Sequence, residues 1–139
     1  MDIVLKESKT GWIKVTDEIS ILVGYYNMQQ EEKLRQILYE VGSMPEFELK
    51  DLEKFTPENK ARLMTLNERY FKLFIKFTIK DWKGVKNSKG EDVPFVLQKD
   101  EMETELWESL CRSMSLKDIY ELHKMIKKEI EFTETDKKK

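Results

Sequence analysis

Apolar residues recur along the chain in two rhythms. In Trp12-Ile13-Lys14-Val15 and again from Ile19 to Tyr26, β-branched and aromatic residues cluster on either side of Thr16-Asp17-Glu18. Two such runs around a short polar loop predict a β-hairpin. Ile19, Ile21, Val23 and Tyr25 share one face, and Leu22 breaks the alternation, so both faces should be partly covered. Beyond Asn27 the rhythm lengthens. Leu34, Ile37, Leu38 and Val41 form one stripe of a helix running to about Val41. Asn27 and Gln30 have the spacing of a capping box at its start, and Gly42 and Pro45 mark its end.

Residues 43–55 read as a linker with Phe47, Leu49, Leu52 and Phe55 as anchors and a short helical turn around Lys50 to Lys54. Thr56 followed by Pro57 is a helix start. The most apolar stretch of the chain, Phe71 to Val85, obeys both rhythms. Phe71, Leu73, Ile75, Phe77 and Ile79 alternate with Lys72, Lys76, Thr78 and Lys80, and Phe74 breaks the pattern. Tyr70, Leu73, Phe74 and Phe77 equally make a helical stripe. The expectation is a helix from Pro57 that yields to a strand between Tyr70 and Phe74. That strand, near residues 73–82, joins the sheet of the hairpin, because two strands alone are marginal in water. Gly84 and Asn87-Ser88-Lys89-Gly90 end it.

Val93 is held extended by Pro94. Asp100 and Glu103 repeat the capping-box spacing and predict a helix to about Arg112, with Leu106, Trp107, Leu110 and Cys111 inward. Ser115 and Asp118 open the last helix, to about Phe132. Leu116, Ile119, Tyr120, Leu122, Met125, Ile126 and Ile130 give it an apolar face wide enough for a core and a partner. Residues 1–10 read as a loose arm. Thr133 to Lys139 lacks apolar residues and reads as a disordered tail after one domain of residues 1–132. The expected class is α+β: an N-terminal β-hairpin plus a third strand, packed by about four α-helices.

Composition narrows the function. Of 139 residues, 25 are Lys or Arg and 27 are Asp or Glu. That balance does not point to the overall basic surface of nonspecific nucleic-acid binding, which leaves open a locally basic face, and nucleic acid is not an expected partner. No apolar run approaches the roughly 20 residues of a membrane span. Met1 to Lys6 lacks the pattern of an export signal, and the lone Cys111 fits a reducing compartment. His123 is the only histidine, and no nearby serine lies in a nucleophile-elbow pattern, so a solvated helix histidine is expected. Asp100, Glu101, Glu103, Glu105 and Glu108 lack the order of a calcium loop and read as the acidic start of a helix. Lys124, Lys127, Lys128 and Lys137 to Lys139 interleave with Glu121, Glu129, Glu131 and Glu134 as a solvated face. No catalytic or metal residue and no cofactor is expected. Trp12, Trp82 and Trp107 read as packing residues, with an exposed partner anchor as the other use of a tryptophan.

The segment Ile79-Lys80-Asp81-Trp82-Lys83-Gly84-Val85, a polar turn with Gly90, then Val93-Pro94-Phe95 and a helix resembles a pattern in small proteins of tailed bacteriophages and prophages. The Trp-containing hairpin and polar helix from Trp12 to Val41 are similar to the N-terminal parts of those proteins. The resemblance is to tail assembly chaperones of long-tailed phages. It implies a non-catalytic protein in the cytoplasm of the bacterial host. Such a protein binds the tape-measure protein, keeps it soluble and assists tail tube assembly. The tail tube protein and a homo-oligomer are further partners under that reading. The expected partner-binding residues are Tyr120, Leu122, Met125 and Ile126 on the last helix, with Trp82. Two other readings remain open: a structural virion component (a head-tail connector or tail-completion protein) and a small regulatory or nucleic-acid-binding protein.

Overall fold

A computed structural model describes residues 3, 10–43 and 56–137, with 131–137 by backbone alone. The order is β1 (Thr10–Lys14), β2 (Ser20–Gly24), α1 (Met28–Gly42), α2 (Pro57–Thr78), β3 (Ile79–Lys83), β4 (Leu97–Gln98), β5 (Glu101–Met102), α3 (Thr104–Ser113) and α4 (Leu116–Lys137). β1, β2 and β3 form an antiparallel sheet in that order, and β4 and β5 form a separate small hairpin. The fold is α+β, with the third strand in the sheet of the N-terminal hairpin. The anchors and helical turn expected within 43–55 fall on the linker, of which residues 44–55 lie outside the described residues, as does most of the N-terminal arm.

The hairpin closes on its polar loop. The Thr16 hydroxyl accepts from the backbone N–H groups of Glu18 and Ile19 at 3.2 and 3.0 Å. Ile21 and Val23 face inward and are buried, and Trp12 lies opposite Leu22 on the outer face.

The strand expected near residues 73–82 starts later. Residues 73–78 are helical, and α2 passes into β3 at Thr78–Ile79 with no intervening turn. Both rhythms fit the sequence here, and burial decides between them. As a helix, the stretch places Phe74, Ile75, Phe77 and Thr78 all in the interior, because this end of α2 is covered on several sides. A strand with one covered face would have left Phe74 on the wrong side.

β3 holds a bulge. Leu22 pairs with Asp81 and Val23 pairs with Ile79, which leaves Lys80 as the extra residue. The bulge turns the Lys80 ammonium back onto the end of α2. There it donates to the Phe77 carbonyl at 2.8 Å and to the Asp100 carbonyl at 3.0 Å. Gln30 is buried and donates to the same Asp100 carbonyl at 3.0 Å. A bulge in the sheet thus ties α1, α2 and the β4–β5 turn together.

Gly84 follows β3 with φ of 83°, and a Cβ there would overlap the Glu18 carbonyl oxygen. Only glycine lets the chain cross the hairpin loop so closely. The polar loop beyond it is closed by the Asn87 side chain, which accepts from the N–H groups of Lys89 and Glu91. Trp82 is buried. Its indole N–H donates to the Val93 carbonyl at 2.7 Å and its ring meets Phe95 edge-on at 5.1 Å.

Three of the four expected helix starts hold. Pro57 opens α2, with the Thr56 hydroxyl accepting from the Asn59 N–H at 3.1 Å. Asn27 and Gln30 form a reciprocal capping box, and Ser115 and Asp118 exchange the equivalent bonds at the start of α4. Asp100 with Glu103 does not. Asp100 (φ 64°) follows Lys99 (φ 50°) in a two-residue hairpin turn, and Glu101–Met102 pair with Leu97–Gln98. Met102 is fully buried, so α3 starts only at Thr104, with no side-chain cap. Gly42 is the last residue of α1, and Ser43 after it keeps a right-handed helical backbone, so the stop is not a left-handed glycine. α4 continues to Lys137, past the end expected at Phe132 and into the segment read as a tail.

One apolar cluster joins the sheet to α1, α2, β5 and α4, with α3 packed against it through Leu106, Trp107 and Leu110. A second, smaller cluster of Ile37, Val41 and Leu66 links α1 to the first half of α2.

Candidate functional site

α2 has two differently dressed halves. Its last turn and a half, from Phe74 to Thr78, is mostly buried. Its first half carries Ala61 and Met64 exposed on one ridge, with partly exposed Glu68 one turn on. α4 lies alongside, its first turns level with that ridge. Between them runs a groove of about 430 Å³, lined by Ala61, Met64, Thr65, Asn67, Glu68, Phe71, Leu116, Ile119 and Tyr120. Met64, Leu116 and Tyr120 are 67%, 56% and 50% exposed. Isolated exposed apolar side chains are ordinary, but three around one concavity make a patch.

The floor of the groove is aromatic. Phe71 meets Tyr120 edge-on at 5.6 Å, and the His123 ring lies 4.5 Å from Phe71 and 4.7 Å from Phe74. His123 is therefore a buried residue and not the solvated one its sequence setting predicts. Burial, with Lys127 one turn on, pushes its pKa down to about 4. The imidazole is neutral at ordinary pH and acts as part of the packing between α2 and α4. The serines near it are engaged with backbone: Ser113 donates to the Ser109 carbonyl at 2.7 Å, and Ser115 caps α4.

A second hollow of about 500 Å³ lies on the other side of the α2 ridge, against α3. It shares Thr65 and Glu68 with the groove and ends on Trp107. The Trp107 indole N–H donates to the Lys72 carbonyl at 2.9 Å, and the Lys76 ammonium sits 5.0 Å from its ring. Cys111 lines a small recess beside it, half-buried, with its thiol pKa raised mainly by that burial. The carboxylates read as an acidic helix start are dispersed: Asp100 faces Lys80, and Glu101 is paired with Lys76 at 2.8 Å. No group of His, Cys, Asp or Glu among the described residues could hold a metal ion. No described helix is long and apolar enough to cross a membrane.

The residues expected to bind a partner separate into two groups. Tyr120 lines the groove and Met125 is exposed on another flank of α4. Leu122, Ile126 and Trp82 are buried in the chain's own core, where they offer a partner little surface. The wide apolar face of α4 is used twice inside the chain. One side packs on the Phe71 and Phe74 rings of α2, and the other approaches the sheet, where Tyr25 Oη donates to the Ile130 carbonyl at 3.0 Å. The sequence reading expects the helix from Pro57 but misses the α2 wall, because which face of that helix α4 leaves uncovered is decided by tertiary packing. The signal was present in the helical spacing of Ala61, Met64, Glu68 and Phe71. Comparison with known protein families, characterised proteins and solved structures finds no match.

Proposed function

We propose that this chain is a non-catalytic tail assembly chaperone of a long-tailed bacteriophage or prophage. It acts in the cytoplasm of the bacterial host and holds a helical stretch of the tape-measure protein in the α2–α4 groove. The observation that supports the reading is the exposure of Met64, Leu116 and Tyr120 around one groove floored by Phe71. A helix lies in such a groove by its apolar stripe. Methionine adapts its shape to different partners and suits reversible holding. The neutral, enclosed His123 is suited to packing and poorly placed for proton transfer.

Co-expression with a tape-measure fragment is the test. The fragment should stay soluble and co-purify with this chain, and the chain should be missing from finished virions. A fragment that aggregates in its presence contradicts the reading. Presence of the chain in purified virions points to the structural-component reading in its place.

A further inference from the structure

The charge around the groove is uneven. On the α2 wall the one carboxylate, Glu68, is bound to Lys72 at 2.6 Å, and Thr65 and Asn67 are neutral. On the α4 wall, Lys117 follows Leu116 directly, and Lys124 stands one turn beyond Tyr120 on the same stripe. Both lysines are exposed, and the ion pairs among the described residues involve other cations. Lys127 continues the row one turn beyond His123, and Glu121 lies further round the helix, toward solvent. The apolar groove therefore has one basic lip and one electrically quiet lip.

We infer that the groove selects an amphipathic helix whose apolar stripe is flanked on one side by acidic residues, and that Lys117 and Lys124 set this preference. The inference rests on the proposed reading of the groove as a helix-binding site, and it names the chemistry of the helix. Exposed ion pairs contribute little affinity individually, but charges at a rim discriminate between partners and fix their orientation. The apolar floor supplies binding, and the lysine lip decides which face of the incoming helix turns toward α4.

The test uses the full chain and two labelled synthetic helices with the same leucine stripe, one flanked by glutamate and one by lysine, followed by fluorescence anisotropy. The glutamate-flanked helix should bind about tenfold more tightly at low salt, and the difference should shrink at high salt. The double variant Lys117→Glu and Lys124→Glu should keep its circular dichroism spectrum and reverse the preference. Tyr120→Glu, within the groove, should weaken both helices. Equal binding, a preference for the lysine-flanked helix, no binding of either, or a preference that survives the lysine reversal overturns the inference. The tape-measure reading fails separately. If a tape-measure fragment co-purifies but ignores the lysine reversal, only the charge preference is wrong. If the fragment fails to co-purify while the synthetic helices discriminate, only the tape-measure partner is wrong.

Discussion

The two ends of α2 differ more than any other two regions of the molecule. At the sheet end, Phe74, Ile75, Phe77 and Thr78 are all buried, Trp82 follows at once, and Lys80 caps the helix from the bulge. At the far end the same helix shows Met64 to solvent beside Leu116 and Tyr120. The sheet end is the more apolar, but the far end also carries large apolar side chains in Leu63, Met64 and Leu66. Of these, Leu66 is buried while Met64 is exposed. What separates the two ends is saturation. At one end every apolar group has a neighbour within the chain, and substitution there should cost folding. At the other no element among the described residues covers one side, and substitution should cost binding.

The largest expected effect lies at the sheet end. Trp82→Ala removes a buried ring and strands the Val93 carbonyl, and should destabilise by about 3–5 kcal/mol. Chemical denaturation checks this, and an unchanged midpoint would count against the saturated reading. His123 comes next. Its folded pKa of about 4 lies below the ordinary 6.5, so the unfolded chain binds the extra proton. Stability from this group is complete above pH 6.5 and falls as pH drops toward 4, by roughly 3 kcal/mol. Unfolding free energies measured across that window should fall less steeply for His123→Leu than for the wild type. Gly84→Ala forces a Cβ onto the Glu18 carbonyl at a positive φ and should cost at least about 2 kcal/mol. A denaturation midpoint for that variant equal to wild type would mean the hairpin loop moves aside freely.

Much of the fold was legible because local signals and global packing agree. The hairpin, the Asn27 and Ser115 capping boxes and the Thr56-Pro57 start each rest on contacts within a few residues, which sequence spacing reports directly. The strand boundary was not legible, because Phe71 to Ile79 satisfies both periods and only long-range burial chooses between them. The Asp100 start failed for a related reason. Lys99 and Asp100 adopt positive φ without the usual Asn-Gly signature, held by Lys80, Gln30 and Asn27 from distant parts of the chain. The groove was half legible. Tyr120 was visible on the last helix, but how much of that helix the sheet and α2 would consume depends on tertiary packing.

A smaller effect should appear at that same turn. Lys99→Gly relieves a left-handed backbone carried by a side chain, and should raise stability by about 0.5–1 kcal/mol, read as a shift in thermal midpoint. A loss of stability would show that the lysine stem makes contacts that outweigh the relief.

The smallest effect on folding and the largest on binding should coincide in one variant. Met64→Glu with Tyr120→Glu places charge on both sides of the groove, and the ring contact it removes is the edge of half-exposed Tyr120 on Phe71. Its unfolding free energy and its ability to co-purify a co-expressed tape-measure fragment should be measured together. The account predicts a stability change below about 1 kcal/mol with the fragment lost to the insoluble fraction. A variant that unfolds as readily as Trp82→Ala, or that holds the fragment as well as the wild type, would contradict it.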